Sequence, residues 1–570
     1  MIARPVLTSA ATLLFAAATA TAAGIDVPEG TVVRGETAEH IDAWLTQLSG
    51  LGFSGGVIAA AGGEVILSKG YGLAVRESGI PFTTDTRFSI GSITKPITAC
   101  AILKLQSMGK LSTDDFVSDH FDGLPEDRDS WTLHELLTHT SGLPSASGFD
   151  YSEFTCEDLL EFAFSTELRF RPRARYSYSN VGFSVLAAII EKASGMSYEE
   201  FTQKHVFGPA GMTRTGYRLD MVPREEYAHG YRGAEAWGTV LDKHWPEAGP
   251  SWHLMGNGGT QSTLRDMFRF HLALLDDTIL DEEAREEMFS PYADEGGGES
   301  FYGYGWVVQE TERGSTCLWH DGGNPYFSND LRRFVDEDVV YYVHSNNGAW
   351  DGPSVSPFLE QMLFGERLPL PPAAIEMDAA ALDALAGTYT LESGAEFEVE
   401  ATDGGVVVIA EGQEAYGLLY AGDGGDVERR EALNERTEDR VRDALVGDGD
   451  DMLARNVRRL ADEHGPIDGV RALGTIPFTE DDQAPPGSEI TVLAVRGRGG
   501  ESGFAVLWND GQVVGLDLPE GSGEVVCYPV GDGRFESFAL GATTNVELGL
   551  DGASLVLTAG EREVRAARDD

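Results

Sequence analysis

The chain is poor in positive charge. It has 42 lysines and arginines against 93 aspartates and glutamates, a formal net charge of −51. Lysine is the scarcer cation, with seven in all and none after Lys243. Binding to a nucleic-acid backbone depends on Lys and Arg displacing counterions, so this balance excludes nucleic-acid partners. It also disfavours docking on anionic lipid. The bland reading of the excess acid is a solvated surface. Cysteine is scarce too. Cys100, Cys156, Cys317 and Cys527 lie far apart, with no metal-binding or redox spacing. We therefore expect no metal and no cofactor, and leave open whether any cysteines pair. Long apolar runs are absent after the start of the chain. In MIARPVLTSAATLLFAAATATAAG, Arg4, the apolar stretch Val6–Ala18 and Ala20-Thr21-Ala22 read as a secretory signal over 1–22. The apolar stretch is too short to span a bilayer, and no later one reaches about 18–20 residues. No cysteine follows the cleavage site, so no lipid anchor is expected there. The mature protein should be secreted or periplasmic, with no membrane anchor; its oligomeric state stays open.

Strand patterns come first, with Gly55–Ala60 and Val65–Leu67 forming a hairpin. Helical patterns follow at Leu133–Leu137, Glu157–Phe164, Ser184–Ala193 and Glu199–Phe207, with a capping arrangement of Thr263 and Asp266. Strands return at Gly305–Gln309, Thr316–Trp319, Leu331–Val335 and Val339–His344. That order predicts an α+β domain over 35–368: one antiparallel sheet built from both ends, a helical lobe, and a cleft between them. Pro369-Leu370-Pro371-Pro372 opens a stiff linker, 369–378. The rest is β-rich. Segments 379–425 and 522–570 read as two halves of one small β-barrel, with the early strands running on to GLLY at 417–420. Segment 426–521 would be an inserted α+β module. Its helix-then-sheet order, ending in GFAVLWNDGQVVGLDL, resembles the NTF2-like cone.

The chemistry is concentrated in FSIGSITKPITAC. Ser92 and Lys95 are three residues apart where a helix begins, so they share a face one turn apart. Pro96 fits a first helical turn. A helix N-terminus favours negative charge, which suits an alkoxide or oxyanion. A serine hydroxyl needs a partner to take its proton, and a lysine so placed can reach it. Taken alone, the same tetrad is equally an N-capping serine with a solvated lysine. Tyr178-Ser179-Asn180 precedes the apolar helix VGFSVLAAIIEKASG. A tyrosine beside a lysine should have a lowered pKa and could move the serine proton, while Asn180 could hold a substrate amide. The alternative is a packed tyrosine with Asn180 as helix cap. His320-Asp321-Gly322-Gly323 follows the strand STCLW. Glycines at a strand end let backbone N–H groups approach a substrate, and one of them with that of Ser92 would make an oxyanion hole. The alternative is a β-turn with His320 partly exposed.

In the order S-x-x-K, Y-x-N, H-x-G, with LLTHTSGLP, VFGPAGMTRT and GNGGTQSTLRDMFRF between them, these elements resemble the serine β-lactamase-like hydrolases. The closest branch in pattern is that of class C β-lactamases, D-aminopeptidases and esterases, peptidase family S12. The resemblance covers roughly Gly35 to Gly365. It implies a β-lactamase/transpeptidase-like fold and an acyl-enzyme on Ser92, with Lys95 as proton acceptor or electrostatic partner and Tyr178 completing the base. Asn180, His320, Gly322 and Gly323 would bind substrate, with the N–H groups of Ser92 and Gly323 as oxyanion donors. His139, within the LLTHTSGL signature, reads as structural, and Asp321 as a turn residue that could meet a substrate amine. The third motif departs from K-T-G. Histidine, with a pKa near ~6.5, is mostly neutral at pH 7, so carboxylate recognition should be weaker than with lysine. The expectation is a hydrolase of amide or ester bonds in a small-molecule or peptide substrate, most simply a D-amino-acid peptidase or esterase. A class C-type β-lactamase and a non-catalytic cell-wall peptide sensor are the alternatives.

Overall fold

The computed structural model describes residues 27–570 apart from 126–127, 129–130, 218–222, 233–234, 244–249, 403, 422–426, 447–452, 454–456, 458–466, 468, 478–487, 498–499, 510–511, 518–523, 539–545, 551–552, 560–561 and 570. The signal expected over 1–22 lies outside the described residues. The chain divides into two compact units. One takes in the chain up to Leu45 and Phe53–Leu368, the other Thr46–Gly52 and Pro369–Asp570. Among the described residues no helix is long and apolar enough to cross a membrane.

The first unit is built on nine antiparallel strands: β1 (Val32–Val33), β2 (Gly55–Ala61), β3 (Glu64–Tyr71), β4 (Ala293–Asp294), β5 (Ser300–Tyr302), β6 (Val307–Glu310), β7 (Thr316–Asn324), β8 (Phe327–Phe334) and β9 (Val339–Ser345). Their spatial order is β1-β3-β2-β9-β8-β7-β6-β5-β4. The early and late strands join where β2 pairs with β9, Val57 opposite Val343. β9 is buried along its whole length, as its unbroken apolar run VVYYV requires of a central strand. The helices between the two strand groups pack around Thr94–Ser107, whose residues from Thr94 to Leu103 are all buried. Asn180–Ser194 lies in the same core through Phe183, Leu186 and Ile190. It starts four residues earlier than its apolar periodicity, because Ser179 caps it by accepting the Gly182 N–H at 3.1 Å. It ends at Gly195, whose φ of +72° supplies the left-handed cap. The pairing of Thr263 with Asp266 caps Leu264–Ala273 as expected, the Asp266 N–H reaching Thr263 Oγ1 at 3.2 Å.

The second unit contains a closed eight-strand barrel of Gly387–Leu391, Glu396–Thr402, Gly405–Glu411, Glu524–Gly531, Arg534–Ser537, Val546–Leu550, Ser554–Ala559 and Arg562–Arg568. Alternate residues fill it, among them Phe397 and Val399, Val406 and Val408, Leu555 and Leu557. The chain leaves the barrel after Glu411 and returns at Glu524, and between these points forms a four-stranded antiparallel sheet, Gly469–Pro477, Glu489–Gly497, Gly500–Asn509 and Gln512–Asp517. One expectation is corrected. GLLY is not a strand but part of a helix, Gln413–Ala421. Ala415, Tyr416, Leu418 and Leu419 are buried, a 3–4 spacing that presents one helical face rather than alternate faces of a strand.

Candidate active site

Ser92 sits in a 3₁₀ turn, Gly91–Ile93, that runs directly into the buried Thr94–Ser107 helix. The Ile90 N–H donates to the Thr260 carbonyl at 3.1 Å and Thr94 Oγ1 to the Gly91 carbonyl at 2.8 Å, fixing the turn. One turn on, Lys95 is fully buried. A buried ammonium needs partners for each of its three protons. Nζ has three: Asn180 Oδ1 at 2.7 Å, the Asn257 carbonyl at 2.8 Å and Ser92 Oγ at 3.1 Å. Burial nevertheless holds its pKa well below the usual lysine value, against the opposing pull of Asp321 and Asp150. The same three partners suit a neutral amine. Two oxygens can only accept and take its two N–H groups, while the serine hydroxyl can donate to its lone pair. The arrangement can therefore receive a proton from Ser92 without moving a heavy atom.

Tyr178 lies beside Ser92, whose hydroxyl acts on its pKa, and Lys95 Nζ lies over its ring, 4.6 Å from the centroid. The expected lowering of its pKa does not occur. Burial raises it, the Ser92 hydroxyl opposes this, and the charges of Asp321 and Glu295 add to the rise. The lysine that was to favour phenolate faces the ring and is itself driven toward neutrality. Tyr178 is thus a protonated phenol beside a serine, a donor before it is a base.

The H-D-G-G segment does not follow a strand but lies within β7, paired with β8 from Cys317–Phe334 to Asn324–Phe327. The strand's period of two turns His320 and Gly322 inward, Asp321 and Gly323 outward. His320 is 2% exposed, not part of an open surface. Its Nδ1 stands 2.5 Å from the Asp321 carbonyl, which only accepts, so Nδ1 carries the proton and Nε2 accepts from the Tyr302 hydroxyl at 2.9 Å. Both ring nitrogens are used within the protein, and burial pushes the pKa down to about 4. Gly322 and Gly323 meet the nucleophile turn backbone to backbone. A Cβ on Gly322 would lie 2.6 Å from the Ser92 nitrogen, and one on Gly91 2.3 Å from the Gly323 nitrogen. Only glycine permits that approach, which sets the backbone of the Ser92 turn directly against that of Gly322 and Gly323.

Four further residues hold the site. Asn257 gives Lys95 its carbonyl while its own amide donates to Ser184 Oγ and the His253 carbonyl, both at 2.7 Å. Asn329, fully buried on β8, donates to the carbonyls of Ser89 at 3.0 Å and Gly322 at 2.8 Å, tying the nucleophile segment to β7. Tyr302 anchors His320, and His139 packs its ring 4.4 Å from that of Tyr178. For Asn257 the sequence signal was the Gly-Asn-Gly-Gly turn. For Asn329 there was none, since its partners are 240 and 7 residues away.

The sequence profile of the Beta-lactamase family matches residues 41–359, and the chain belongs to that family, as a serine hydrolase. It is similar to penicillin-binding protein 4* of Bacillus subtilis, 31% identical over 369 residues, which span 61% of this chain and 81% of that one. It is also similar to esterase EstB of Burkholderia gladioli, 34% identical over 183 residues, 28% of this chain and 46% of the esterase. The octameric penicillin-binding protein homologue of Pyrococcus abyssi superposes with a TM-score of 0.52 at 20% identity, covering 93% of this chain and 100% of that one, a likeness of fold.

Proposed function

We propose that the protein is an exported hydrolase that forms an acyl-enzyme on Ser92 and cleaves amide or ester bonds, with D-amino-acid peptides or simple esters as its substrate class. The observation that carries this reading is the three-way contact of buried Lys95 with Ser92, Asn180 and the Asn257 carbonyl. Neutral Lys95 takes the Ser92 proton as Oγ attacks the carbonyl. The N–H groups of Ser92 and Gly323 receive the oxyanion, each such donor typically worth ~3–4 kcal/mol. Tyr178, kept protonated by burial, donates to the departing amine or alcohol, and Asn180 orients the substrate while holding Lys95. In deacylation the Tyr178 phenolate takes the proton of the attacking water, and Lys95 returns its proton to Ser92 Oγ as the ester bond breaks.

The charge around the site favours an amine or a neutral ester over a carboxylate. Asp321 and Asp150 act on Lys95, and Asp321 and Glu295 on Tyr178. His320, neutral and engaged at both nitrogens, offers no cation to a β-lactam carboxylate. The relative named as an esterase supports the ester reading, the apolar N-terminal segment and the relatives named as penicillin-binding proteins support export and cell-wall peptides. The test is to incubate wild type and Ser92→Ala with nitrophenyl acetate, nitrocefin and D-alanine amides, following turnover and intact mass. Expected are a Ser92 adduct in the wild type alone and faster turnover of amides and esters than of nitrocefin. An adduct that survives the substitution rejects Ser92; rapid nitrocefin turnover rejects the substrate class.

A further inference from the structure

His139 lies in the LLTHTSGL segment, just past the Leu133–Leu137 helix, and is fully buried. Its φ is +58°, a left-handed conformation unusual for a side chain of this size. Neighbouring bonds hold that conformation: the Thr138 N–H and Oγ1 both donate to the His134 carbonyl, and the Thr140 N–H donates to that of Glu135. What the conformation achieves is a pair of contacts on either side of Tyr178. The Ser177 N–H donates to the His139 carbonyl at 2.9 Å, and the Ser179 N–H donates to His139 Nδ1 at 3.0 Å. Between these two bonds the imidazole packs on the Tyr178 ring, centroids 4.4 Å apart, with Tyr302 at 4.6 Å and Phe183 at 5.1 Å on its other sides. The same strip of chain continues the grip. Ser179 Oγ donates to the Pro144 carbonyl at 2.7 Å and the Asn180 N–H to that of Ser145 at 2.9 Å.

We propose that His139 is a positioning residue of the hydrolase, holding the Tyr178 hydroxyl against Ser92 by accepting the Ser179 amide proton through Nδ1. This rests on the acyl-enzyme reading above. His139 is not itself catalytic, since it is sealed from the cleft and its polar contacts are with the Ser177–Ser179 backbone. Accepting at Nδ1 places the ring proton on Nε2, which has no hydrogen-bond partner among the described residues. A packing role alone would be met by phenylalanine, without an orphaned N–H. The ring must also stay neutral, because a proton on Nδ1 would oppose the Ser179 N–H. Its surroundings enforce this: burial and the nearby Lys95 and His320 hold its pKa well below the usual value, and the other rings that face it are the phenols of Tyr176, Tyr178 and Tyr302 and the apolar ring of Phe183.

Two substitutions separate the acceptor from the ring. His139→Phe keeps the ring and removes the acceptor; His139→Asn keeps a side-chain acceptor and removes the ring. The readouts are single-turnover acylation of Ser92 by a nitrophenyl ester, KM, thermal midpoint, and hydrogen exchange at the Ser179 amide. In His139→Phe acylation should slow by about 10²-fold, the cost of a misplacement on the order of 1 Å, with KM little changed and the Ser179 amide exchanging faster. His139→Asn should recover most of the rate and the protection. Acylation of His139→Phe at the wild-type rate, or a Ser179 amide as protected as in wild type, overturns the proposal. If the phenylalanine chain does not fold, His139→Asn decides: a protected Ser179 amide with acylation lost overturns it, both retained supports it. A wild type that gives no Ser92 adduct fails the acyl-enzyme reading itself, a result distinct from either outcome in the variants.

Discussion

The two units treat buried polar groups in opposite ways. In the second, they close on one another. Glu489 receives both terminal nitrogens of Arg429 at 2.6 Å and Arg430 Nε at 3.2 Å, and Gln413 exchanges two 2.8 Å bonds with the Thr475 backbone. Such satisfied sets specify a fold. In the first unit, Lys95 is as buried as any core residue, yet one of its three partners is a half-buried serine hydroxyl. A buried charge with a partner that can exchange a proton is a reagent; one with fixed partners is scaffolding.

Substitution at Lys95 should break that contrast most sharply. In the proposed mechanism Lys95 receives the Ser92 proton, so Lys95→Met should lower acylation by about 10²–10⁴-fold, the usual range for a positioned base. The wild-type rate should rise with pH and level off well below the usual lysine pKa, since burial favours the amine. A pH–rate profile of kcat/KM checks this, and a plateau reached only near the ordinary lysine value would show that Lys95 is not the titrating base.

Glu489→Leu asks the reverse question in the second unit. It takes a carboxylate partner from Arg430, which is 6% exposed, and should cost about 3 kcal/mol of that unit's stability. Turnover below its melting point should stay at the wild-type level. Calorimetry resolving two transitions, with an ester assay beside it, reads both quantities; a matching loss of kcat would refute the division between reagent and scaffold.

Gly91→Ala tests whether the oxyanion donors depend on backbone contact. The new Cβ would fall 2.3 Å from the Gly323 nitrogen at a φ of +53°, so β7 or the Ser92 turn must move. Turnover should drop by about 10²-fold, the effect of losing one donor. Ester binding, measured by KM, should change little.

What the sequence made legible, and what it hid, follows the same physics. S-x-x-K, Y-x-N and H-x-G are local spacings, fixed by one helix turn, one helix N-cap and one strand, and their order carried the fold. The barrel was legible in its alternating strands, because a period of two survives in short segments. QEAYGLLYA was misread because a short apolar run suits either period, and only its burial at 415, 416, 418 and 419 decides. Asn329 and the Asn257 carbonyl act across long separations that no spacing encodes. The pKa of Tyr178 was misjudged because sequence places a lysine near a phenol but not how deeply both are buried.

The last contrast is in acid. Eleven of the twelve histidines precede Leu368. His139, His271, His320 and His344 are buried and held neutral, each with its pKa lowered first of all by burial. Unfolding releases them to bind protons near pH 6.5, so between the folded and unfolded values the unfolded chain holds more protons and stability rises with pH. Read downward, the first unit loses stability as pH falls from 6.5, and for His320 the loss is complete near pH 4. That residue alone should account for on the order of 3 kcal/mol. Calorimetry from pH 7 to 4.5 should show the first unit's transition falling more steeply than the second's, with His320→Asn flattening part of the slope. Parallel slopes for the two units, or a slope unchanged by the substitution, would mean that the buried histidines of the first unit do not set its acid limit.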